Sequence, residues 1–474
     1  MEPPSSDCLR IVSRGAPARK LPGHCRQYIS RKEGEQVHSL ALEAVIADLG
    51  KENCRAALTL LAEMVGVERQ AILDCLELLN RHGEVEDGER VVAYTSFYRP
   101  KKSGGKRLII APVEPIKDLL RKVKDEILCR SSLPRFVHGY RTRRSWLTNA
   151  RVHFDAGAVY AINLDIKDCF PSTKIQLVRR VYWQTTGRML RDEGIPEEVA
   201  RAAVEILTAL STLKYGRSKV PVLPVGSPTS PALVNLVLTP ACIRIARALK
   251  RLPGEYAFSI YGDDLTVSSR EPLPPEVKMI VLREWQRLGY RANPGKTRVM
   301  RRDGSGTPIE VTGLILGRDR ILLPDDWLQR TELMLIAYAG SPKYPGDKAK
   351  RGLQSRVSMV RKLYGVEMPG RVGNCLKSLI AQAKSNLVMR ERLAELLRGK
   401  MPEVVEGSEE APEPAMEQAV EQDRDWRTEY GPVPQSMDAR GQLFWDFDDD
   451  SPGGADDPFV PEHGQLEQGE WEGE

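Results

Sequence analysis

The stretch Tyr261-Gly262-Asp263-Asp264 decides the fold of this chain, because two adjacent carboxylates lie at a turn between two apolar runs. Residues 256–260 and 265–268 have the length and composition of strands, so the stretch predicts a β-hairpin. Magnesium takes oxygen ligands and is commonly held by a few carboxylates together with substrate phosphates. The pattern therefore indicates part of a metal site, although an ordinary acidic turn of Asp and Gly has the same local sequence.

A third carboxylate follows an apolar run farther upstream. Residues 158–164 are apolar with one polar break, and Asp165 comes directly after them. At the end of a buried strand, Asp165 would join Asp263 and Asp264 in a three-aspartate catalytic site for nucleotidyl transfer with two metal ions about 3.5–4 Å apart. The alternative for Asp165 is a helix N-cap after the strand. Asp168 is expected to be a capping or solvent-exposed residue.

The order of these and further motifs resembles reverse transcriptases. Asp165 with Phe170, the stretch 226–231 and the turn at Asp263 are similar to motifs A, B and C of that family. Further stretches resemble its basic fingers loop (101–107) and its motif D (289–297). Two more are similar to segments that mark bacterial retron reverse transcriptases: Asn-Ala-Arg-Val-His at 149–153 and Val-Thr-Gly at 311–313. The resemblance covers residues 90–325 well and 326–400 loosely.

The resemblance implies a right-hand polymerase of the α+β class, with fingers, a ferredoxin-like palm of antiparallel strands and a helical thumb. It implies an RNA-directed DNA polymerase that uses two Mg²⁺ ions, with Mn²⁺ as an alternative. Lys296, in motif D, is implied as the catalytic group that protonates or neutralises the departing pyrophosphate. The alternative is that Lys296 is an ordinary cation at the end of a strand or helix. Gly226, in motif B, is implied as a substrate-binding residue.

Two residues depart from the retron pattern. Gly262 stands where retron enzymes usually carry Ala, and Val225 stands where they usually carry Gln. A Gly-Asp-Asp turn also marks RNA-dependent RNA polymerases. The residue five positions after Asp165 distinguishes these enzymes from polymerases that make DNA. Phe170 would occupy the space that a ribose 2′-hydroxyl needs, which favours deoxynucleotides; the alternative for Phe170 is a core side chain.

The basic stretch before residue 108 predicts a nucleotide-binding hairpin. Gly104-Gly105 suits a tight turn, with Lys101, Lys102, Lys106 and Arg107 near it. Cations at such a turn can bind the triphosphate of an incoming nucleotide, and the guanidinium can bond two phosphate oxygens. Arg107 is the preferred candidate, since the apolar run 108–110 would fix its position, with Lys106 beside it. The alternative is a solvated basic turn.

Basic residues interleaved with aromatic ones predict RNA contact between 138 and 153. Arg141 and Arg143 alternate with Tyr140 and Trp146, which suits backbone contact with base stacking. Asn149 and His153 lie one helical turn apart, so both can face one RNA partner. The basic, helical stretch 326–400 would hold duplex through residues that include Arg351, Arg356, Arg361, Lys362, Arg371, Lys377 and Lys384.

Charge is distributed unevenly along the 474 residues. Residues 401–474 contain 22 Asp and Glu against 3 Lys and Arg, a net charge of −19. Because the whole chain has a net charge of +5, residues 1–400 have a net charge of +24. A basic body predicts a nucleic-acid surface. We expect no membrane segment, because no apolar run approaches about 20 residues, and scattered cysteines without C-x-x-C predict reduced thiols and a cytoplasmic protein.

Five segments are expected along the chain: a flexible basic arm (1–36), an N-terminal helical lead-in (37–95), fingers and palm (96–325), a basic thumb (326–400) and an acidic disordered tail (401–474). The lead-in also mimics a winged helix-turn-helix, but it continues directly into the fingers loop. The tail would screen the basic surface, contact a partner or simply aid solubility.

The retron resemblance implies particular partners. They are a structured non-coding RNA that serves as template and primer, dNTPs, an RNA–DNA hybrid and an effector protein, with a branched RNA-linked DNA (msDNA) as product and phage defence as role. The alternatives are another bacterial defence-associated or group II intron-like reverse transcriptase, or a non-catalytic RNA-binding scaffold. Three mutually repelling carboxylates favour the enzyme, because a scaffold has no physical reason to keep them.

Overall fold

The computed structural model describes residues 29–30, 49–86, 89–100, 104–216, 218–302, 307–340, 347–365, 369–383, 389, 391–393 and 396. The expected tail lies outside these residues, as does the expected arm except for 29–30. Lys101 and Lys102 of the fingers loop, and Lys384, also lie outside them.

The described strands are β1 (Ile29–Ser30), β2 (Val85–Glu86), β3 (Glu89–Val91), β4 (Tyr94–Pro100), β5 (Lys106–Pro112), β6 (Tyr160–Asp165), β7 (Ala257–Tyr261), β8 (Asp264–Ser269), β9 (Arg298–Arg301), β10 (Glu310–Val311), β11 (Leu314–Leu316) and β12 (Ile321–Leu322). The described α-helices are α1 (Lys51–Val65), α2 (Arg69–Asn80), α3 (Glu114–Glu126), α4 (Trp146–Asp155), α5 (Cys169–Ser172), α6 (Ile175–Tyr182), α7 (Arg188–Asp192), α8 (Glu197–Ser211), α9 (Ser230–Arg251), α10 (Pro275–Arg287), α11 (Asp325–Gly340), α12 (Asp347–Tyr364) and α13 (Gly370–Ala383).

The palm is a four-stranded antiparallel sheet in the order β7-β8-β6-β9. Helices separate β6 from β7 and β8 from β9, so the chain follows the β-α-β-β-α-β order of a ferredoxin-like unit. Buried residues such as Leu164, Leu265 and Val267 belong to one hydrophobic cluster with residues of α9 and α10, two helices that pack against each other. The predicted α+β right-hand polymerase with a ferredoxin-like palm is confirmed.

The fingers begin with a long hairpin that the lead-in helices support. Strands β4 and β5 pair from Tyr94 opposite Pro112 to Pro100 opposite Lys106. Helix α1 packs against α8, and its buried Leu61 belongs to the same hydrophobic cluster as Trp285 beneath the palm. Because the lead-in shares this core, its packing favours a lead-in over a separate winged-helix module.

The thumb helices α11, α12 and α13 pack around a second cluster that includes Leu335, Val360 and Leu376. Arg356 serves this packing, because its guanidinium donates to Thr331 Oγ1 (2.8 Å) and to the Trp327 carbonyl (2.7 Å) and lies over the Trp327 ring. Arg356, expected at the RNA surface, therefore ties α12 to α11 instead.

The two segments that resemble retron marks lie against each other. Thr312 (φ 49°) and Gly313 (φ 84°) form the two-residue turn between β10 and β11, a turn that requires positive φ at both positions. The Thr312 hydroxyl donates to the carbonyl of Trp146 (3.0 Å), the first residue of α4. Since α4 contains Asn149 and His153 and packs on β7 and β8, the two sequence marks form one structural unit against the palm sheet.

Helix α9 is the one described helix with the length and apolar composition of a membrane span. The expectation that no apolar run approaches this length is thus corrected. However, 61% of its apolar window is buried inside the protein, and a core helix satisfies the same criteria, so the evidence for a membrane span is weak.

Candidate active site

The three predicted aspartates meet where β6 ends and β8 begins. Asp165 and Asp264 are direct partners in the β6–β8 register, and Asp263 precedes Asp264 in the turn. Gly262 takes φ 68° as the first residue of the two-residue loop between Tyr261 and Asp264, a position where glycine is favoured. The structure therefore brings together carboxylates that lie about one hundred residues apart in the chain.

Burial and mutual repulsion raise the pKa of two of these carboxyls. For Asp263 the largest cause is burial and the next is the charge of Asp165, opposed by Lys296 and Arg107. For Asp264 burial again dominates and raises the pKa to about 6, while the hydrogen bond from Asn163 lowers it. An added cation would relieve both the desolvation and the repulsion.

Motif D holds the first aspartate. Lys296 Nζ lies 2.8 Å from Asp165 Oδ1, and the Asn293 side chain donates to Asp165 Oδ2 (3.3 Å). The backbone NH of Asn293 also donates to the Asp165 carbonyl (2.7 Å). The structure thus places Lys296 in the site, and its role in catalysis stays a prediction.

Asn163 is a partner that the sequence analysis missed. Its side-chain amide donates to Asp264 Oδ1 and to Thr266 Oγ1 (3.2 Å). The signal was present, because Asn163 is the polar break in the run 158–164 and lies two residues before Asp165, on the same face of β6. Only the register of β6 against β8 shows which carboxylate it contacts.

The fingers hairpin orients Arg107 toward the site. The NH of Ile110 donates to the carbonyl of Val225 (2.7 Å), which joins β5 to the loop that resembles motif B. Alternation along β5 puts Arg107 on the same face as Ile109, while Lys106 is on the other face. The positive charge of Arg107 lowers the pKa of Asp263, so the two groups lie within electrostatic reach.

Gly226 lies where β5 meets the motif B loop. Its φ is 135°, and a Cβ there would be 2.8 Å from the Ile110 carbonyl oxygen and 3.1 Å from the Ile109 side chain. Any larger residue would therefore push β5, with Arg107, away from this loop. The close approach of β5 explains why residue 226 is a glycine. Contact between Gly226 and the substrate stays a prediction.

Phe170 lies in the short helix α5, half-buried against the main core. The preceding residue, Cys169, is buried, and its thiol pKa is raised by burial and then by the charges of Asp263 and Asp165. Helix α5 thus lies beside the aspartates, and the exclusion of ribonucleotides by Phe170 stays a prediction. Asp168 occupies the N-cap position of α5 and is exposed, as expected of a solvent-exposed residue, but its side chain makes no capping hydrogen bond.

Asn149 and His153 do not fit the prediction of direct RNA contact. Both are fully buried, and the His153 ring lies 2.7 Å from the hydroxyls of Ser268 and Ser259, on the strands β8 and β7. Burial, with a smaller effect from His138, lowers the pKa of His153 to about 3, so the ring is neutral. The two residues lie one helical turn apart on α4, and the His153 side chain packs on the palm strands β7 and β8, on the face of β8 that also carries Asp264.

The two predicted RNA-binding arginines differ in exposure. Arg143 is exposed, with φ 63°, and is accessible to RNA. Arg141 is half-buried and donates to the carbonyl of Pro134 (2.8 Å), which fixes the fold of its own loop. Contact with RNA stays a prediction for both.

Among the residues that the structure describes, no three His, Cys, Asp or Glu side chains are grouped as a ready metal-binding cluster. Asp165 is instead neutralised by Lys296, and Asp264 accepts from Asn163. The donor chemistry still suits a hard cation, because Asp165, Asp263 and Asp264 are neighbours at the ends of β6 and β8 and two of them have raised pKa values.

Comparison with known proteins identifies relatives of the part of the chain that contains this site. Residues 99–319 match the family model described as reverse transcriptase (RNA-dependent DNA polymerase). The retron Mx162 reverse transcriptase of Myxococcus xanthus is 32% identical over 257 residues, which are 50% of this chain and 49% of that protein. The retron Mx65 reverse transcriptase of the same organism is 34% identical over 232 residues, 47% of this chain and 52% of that protein.

The matched part thus spans about half the length of these curated relatives. A telomerase from Candida albicans, solved in complex with a fragment of telomeric RNA, aligns over 64% of this chain and 58% of its own at 11% identity, but its TM-score of 0.34 is too low to carry an argument. The family model and these relatives indicate the same class of protein, reverse transcriptases, as the motifs around the aspartates do. This chain is similar, in its fingers and palm, to bacterial reverse transcriptases of the retron type.

Proposed function

We propose that this chain is an RNA-directed DNA polymerase of the retron type, which copies a dedicated structured RNA into a small branched, RNA-linked DNA (msDNA). The observation that carries the proposal is the pairing of Asp165 with Asp264 across the palm sheet, with Asp263 in the adjoining turn. The family match over residues 99–319 supports the polymerase class, and the curated relatives support the retron type.

Asp165, Asp263 and Asp264 would hold two Mg²⁺ ions, with Mn²⁺ as an alternative. The fit rests on their oxygen donors and on the raised pKa values of Asp263 and Asp264, which a cation would reverse. When bound, the ions would activate the attacking hydroxyl and stabilise the leaving pyrophosphate. Lys296, beside Asp165, would neutralise or protonate that pyrophosphate.

Three further residues would select and hold the incoming dNTP. Arg107 would bind the triphosphate, because it is on the face of β5 that meets the motif B loop, and Lys106 would assist from the other face. Gly226 would keep the loop close to β5. Phe170 would exclude the 2′-hydroxyl of ribonucleotides.

The template would be a folded RNA that also supplies the primer, through the 2′-hydroxyl of a guanosine within it. Such an RNA is recognised by shape, phosphates and 2′-hydroxyls, because its major groove is too narrow for side chains. The exposed cations of the thumb, such as Arg351, Lys362 and Lys377, and the exposed Arg143 are suitable contacts. We further propose that the protein acts in phage defence, together with an effector protein, in the cytoplasm.

Two alternatives belong to different classes. One is another bacterial defence-associated or group II intron-like reverse transcriptase, which would extend any annealed primer. The other is a non-catalytic RNA-binding scaffold. The intact aspartate trio favours an enzyme over the scaffold.

Asp263→Asn tests the polymerase site directly. We expect primer extension with dNTPs and Mg²⁺ to fall by more than about 100-fold, since changes to the outer partners of a metal alone cost about 10–100-fold. RNA affinity should stay nearly unchanged, because the basic surface supplies it. The control is Asp168→Asn, an exposed carboxylate at the start of α5, which should retain most of the activity. Full extension by Asp263→Asn would remove the site assignment.

The retron type is tested by the nucleic acid that copurifies with the protein expressed with its native flanking locus. We expect a small DNA joined to RNA, which shortens on debranching and is partly degraded by RNase. A protein that carries no such hybrid but extends any annealed primer equally well would contradict the retron type and leave the broader reverse transcriptase proposal intact.

A further inference from the structure

A short segment, residues 136–140, runs along the outer edge of the palm sheet. Ile260 of β7 donates its NH to the carbonyl of Phe136 and accepts from the NH of His138, both at 2.9 Å. Val137 forms a parallel bridge with Ile260, and the Phe136 ring packs on Phe258 with centroids 5.0 Å apart. This edge segment therefore adds one more strand-like element beside β7, directly before the catalytic turn.

Gly139 brings the edge segment into contact with the turn. A Cβ on Gly139 would collide with the backbone nitrogen of Gly262 and lie 2.8 Å from the carbonyl carbon of Tyr261. The Gly139 carbonyl accepts a buried hydrogen bond from the Asn235 side chain of α9 (2.7 Å). Because both backbones are held this closely, the edge segment and the turn cannot move independently.

Tyr140 follows in a strained conformation. Its φ is 54°, which costs a non-glycine residue roughly 1–2 kcal/mol and persists only where the surroundings enforce it. Its ring covers Gly262, since a Cβ there would lie 2.9 Å from Tyr140 Cε2. The centroids of the Tyr140 and Tyr261 rings lie 6.3 Å apart. The Tyr140 side chain is thus held where the side chain of residue 262 would otherwise lie.

We infer that Tyr140 is a positioning residue of the catalytic turn: its ring fills the space above Gly262 and thereby fixes the direction of Asp263 and Asp264. The inference rests on the proposed function, because it assigns Tyr140 to the polymerase site. Independent support comes from the Tyr140 hydroxyl, whose pKa is raised by burial and then by Asp263, and lowered by Arg107. Tyr140 is therefore within electrostatic reach of both Asp263 and Arg107.

A double-mutant cycle over Tyr140 and Gly262 tests the inference. We expect Gly262→Ala to lower kcat for dNTP incorporation, because the new methyl group displaces the Tyr140 ring and with it the turn. Tyr140→Ala removes that collision, so the same Gly262→Ala change should reduce kcat by a factor at least about fivefold smaller in that background. The strain of an alanine at φ 68° is present in both backgrounds and cancels.

Two variants serve as controls. Tyr140→Phe keeps the ring and removes only the hydroxyl, so Gly262→Ala should lower kcat by the same factor in the Tyr140→Phe background as in the unchanged protein, which separates packing from hydroxyl chemistry. Gly139→Ala collides with backbone rather than with the ring. Its loss of kcat should therefore be the same with or without Tyr140→Ala. An equal effect of Gly262→Ala in both backgrounds, in an active protein, would overturn the inference.

Thermal unfolding of the four proteins of the cycle (the unchanged protein, the two single variants Gly262→Ala and Tyr140→Ala, and the double variant) supplies a readout that does not depend on catalysis. We expect Gly262→Ala to lower the unfolding midpoint more when Tyr140 is present than when it is replaced by Ala. Coupled midpoints in a protein that incorporates no dNTP would support the Tyr140–Gly262 contact and reject the proposed polymerase function. Uncoupled midpoints would count against the contact itself.

Discussion

At Asp264, the most strongly perturbed carboxyl of the site, burial raises the pKa from 3.8 to about 6. A group whose folded-state pKa is raised stabilises the protein below the unfolded-state pKa, and this contribution is lost as pH rises through the folded-state value. In the metal-free protein, Asp264 therefore lowers the free energy of unfolding increasingly between about pH 4 and pH 6.

Asp264→Asn should consequently stabilise the metal-free protein above pH 6. We expect an increase of order 1–3 kcal/mol in the free energy of unfolding at pH 7.5 in EDTA, which becomes smaller toward pH 4. Added Mg²⁺ should stabilise the unchanged protein but not the variant, because the variant lacks a ligand. Denaturant unfolding at several pH values measures this, and a less stable variant in EDTA at pH 7.5 would contradict it.

Phe170→Ala should relax the discrimination between dNTPs and rNTPs. Removing the ring leaves room for a 2′-hydroxyl beside the aspartates, so incorporation of rNTPs should rise relative to dNTPs. Primer extension with each nucleotide set decides it, and the unfolding midpoint controls for lost packing, because Phe170 also contacts the core. Unchanged discrimination in a folded variant would make Phe170 a core residue only.

The Tyr140 ring gives a physical reason why this chain has Gly262 where retron enzymes usually carry Ala. The space that an alanine methyl would need is occupied by the Tyr140 ring. An alanine at 262 therefore requires the Tyr140 ring to shift.

At the scale of elements, the fingers hairpin distinguishes two cations that are neighbours in sequence. Arg107→Ala should raise the KM for dNTPs by roughly 10–100-fold, since a hydrogen bond to a charged group contributes about 1.5–3 kcal/mol. Lys106→Ala is the matched control, because Lys106 is on the other face of the same strand and should change the KM far less. Steady-state kinetics measures both, and an equal effect would show that side-chain alternation along β5 does not govern the site.

At the scale of the whole molecule, the uneven charge predicts how the tail affects RNA binding. Deletion of residues 401–474 changes the net charge from +5 to +24. If the tail screens the basic surface, deletion should raise RNA affinity at low salt, and the difference should shrink as salt rises. Filter binding across a salt series measures this, with a scrambled tail of equal composition as the control. Equal affinities at low salt would contradict screening.

The sequence by itself was sufficient for the aspartates, the hairpin and the fold class. Strand alternation, turn residues and the order of motifs are local properties, and they placed Asp165 at a strand end and Asp263 in a hairpin turn. The same local patterns correctly put Asn149 and His153 on one helical face, but they do not determine what that face contacts.

Tertiary structure alone decided which groups surround the aspartates. The register of β6 against β8 directs Asn163 to Asp264, motif D brings Asn293 and Lys296 to Asp165, and the edge segment puts Tyr140 over Gly262. It also buried Asn149 and His153, the latter against the palm strands β7 and β8, and drew Arg356 into the thumb. Local sequence fixes backbone conformation and side-chain periodicity, whereas register and packing depend on residues distant in the chain, which meet only in the folded protein.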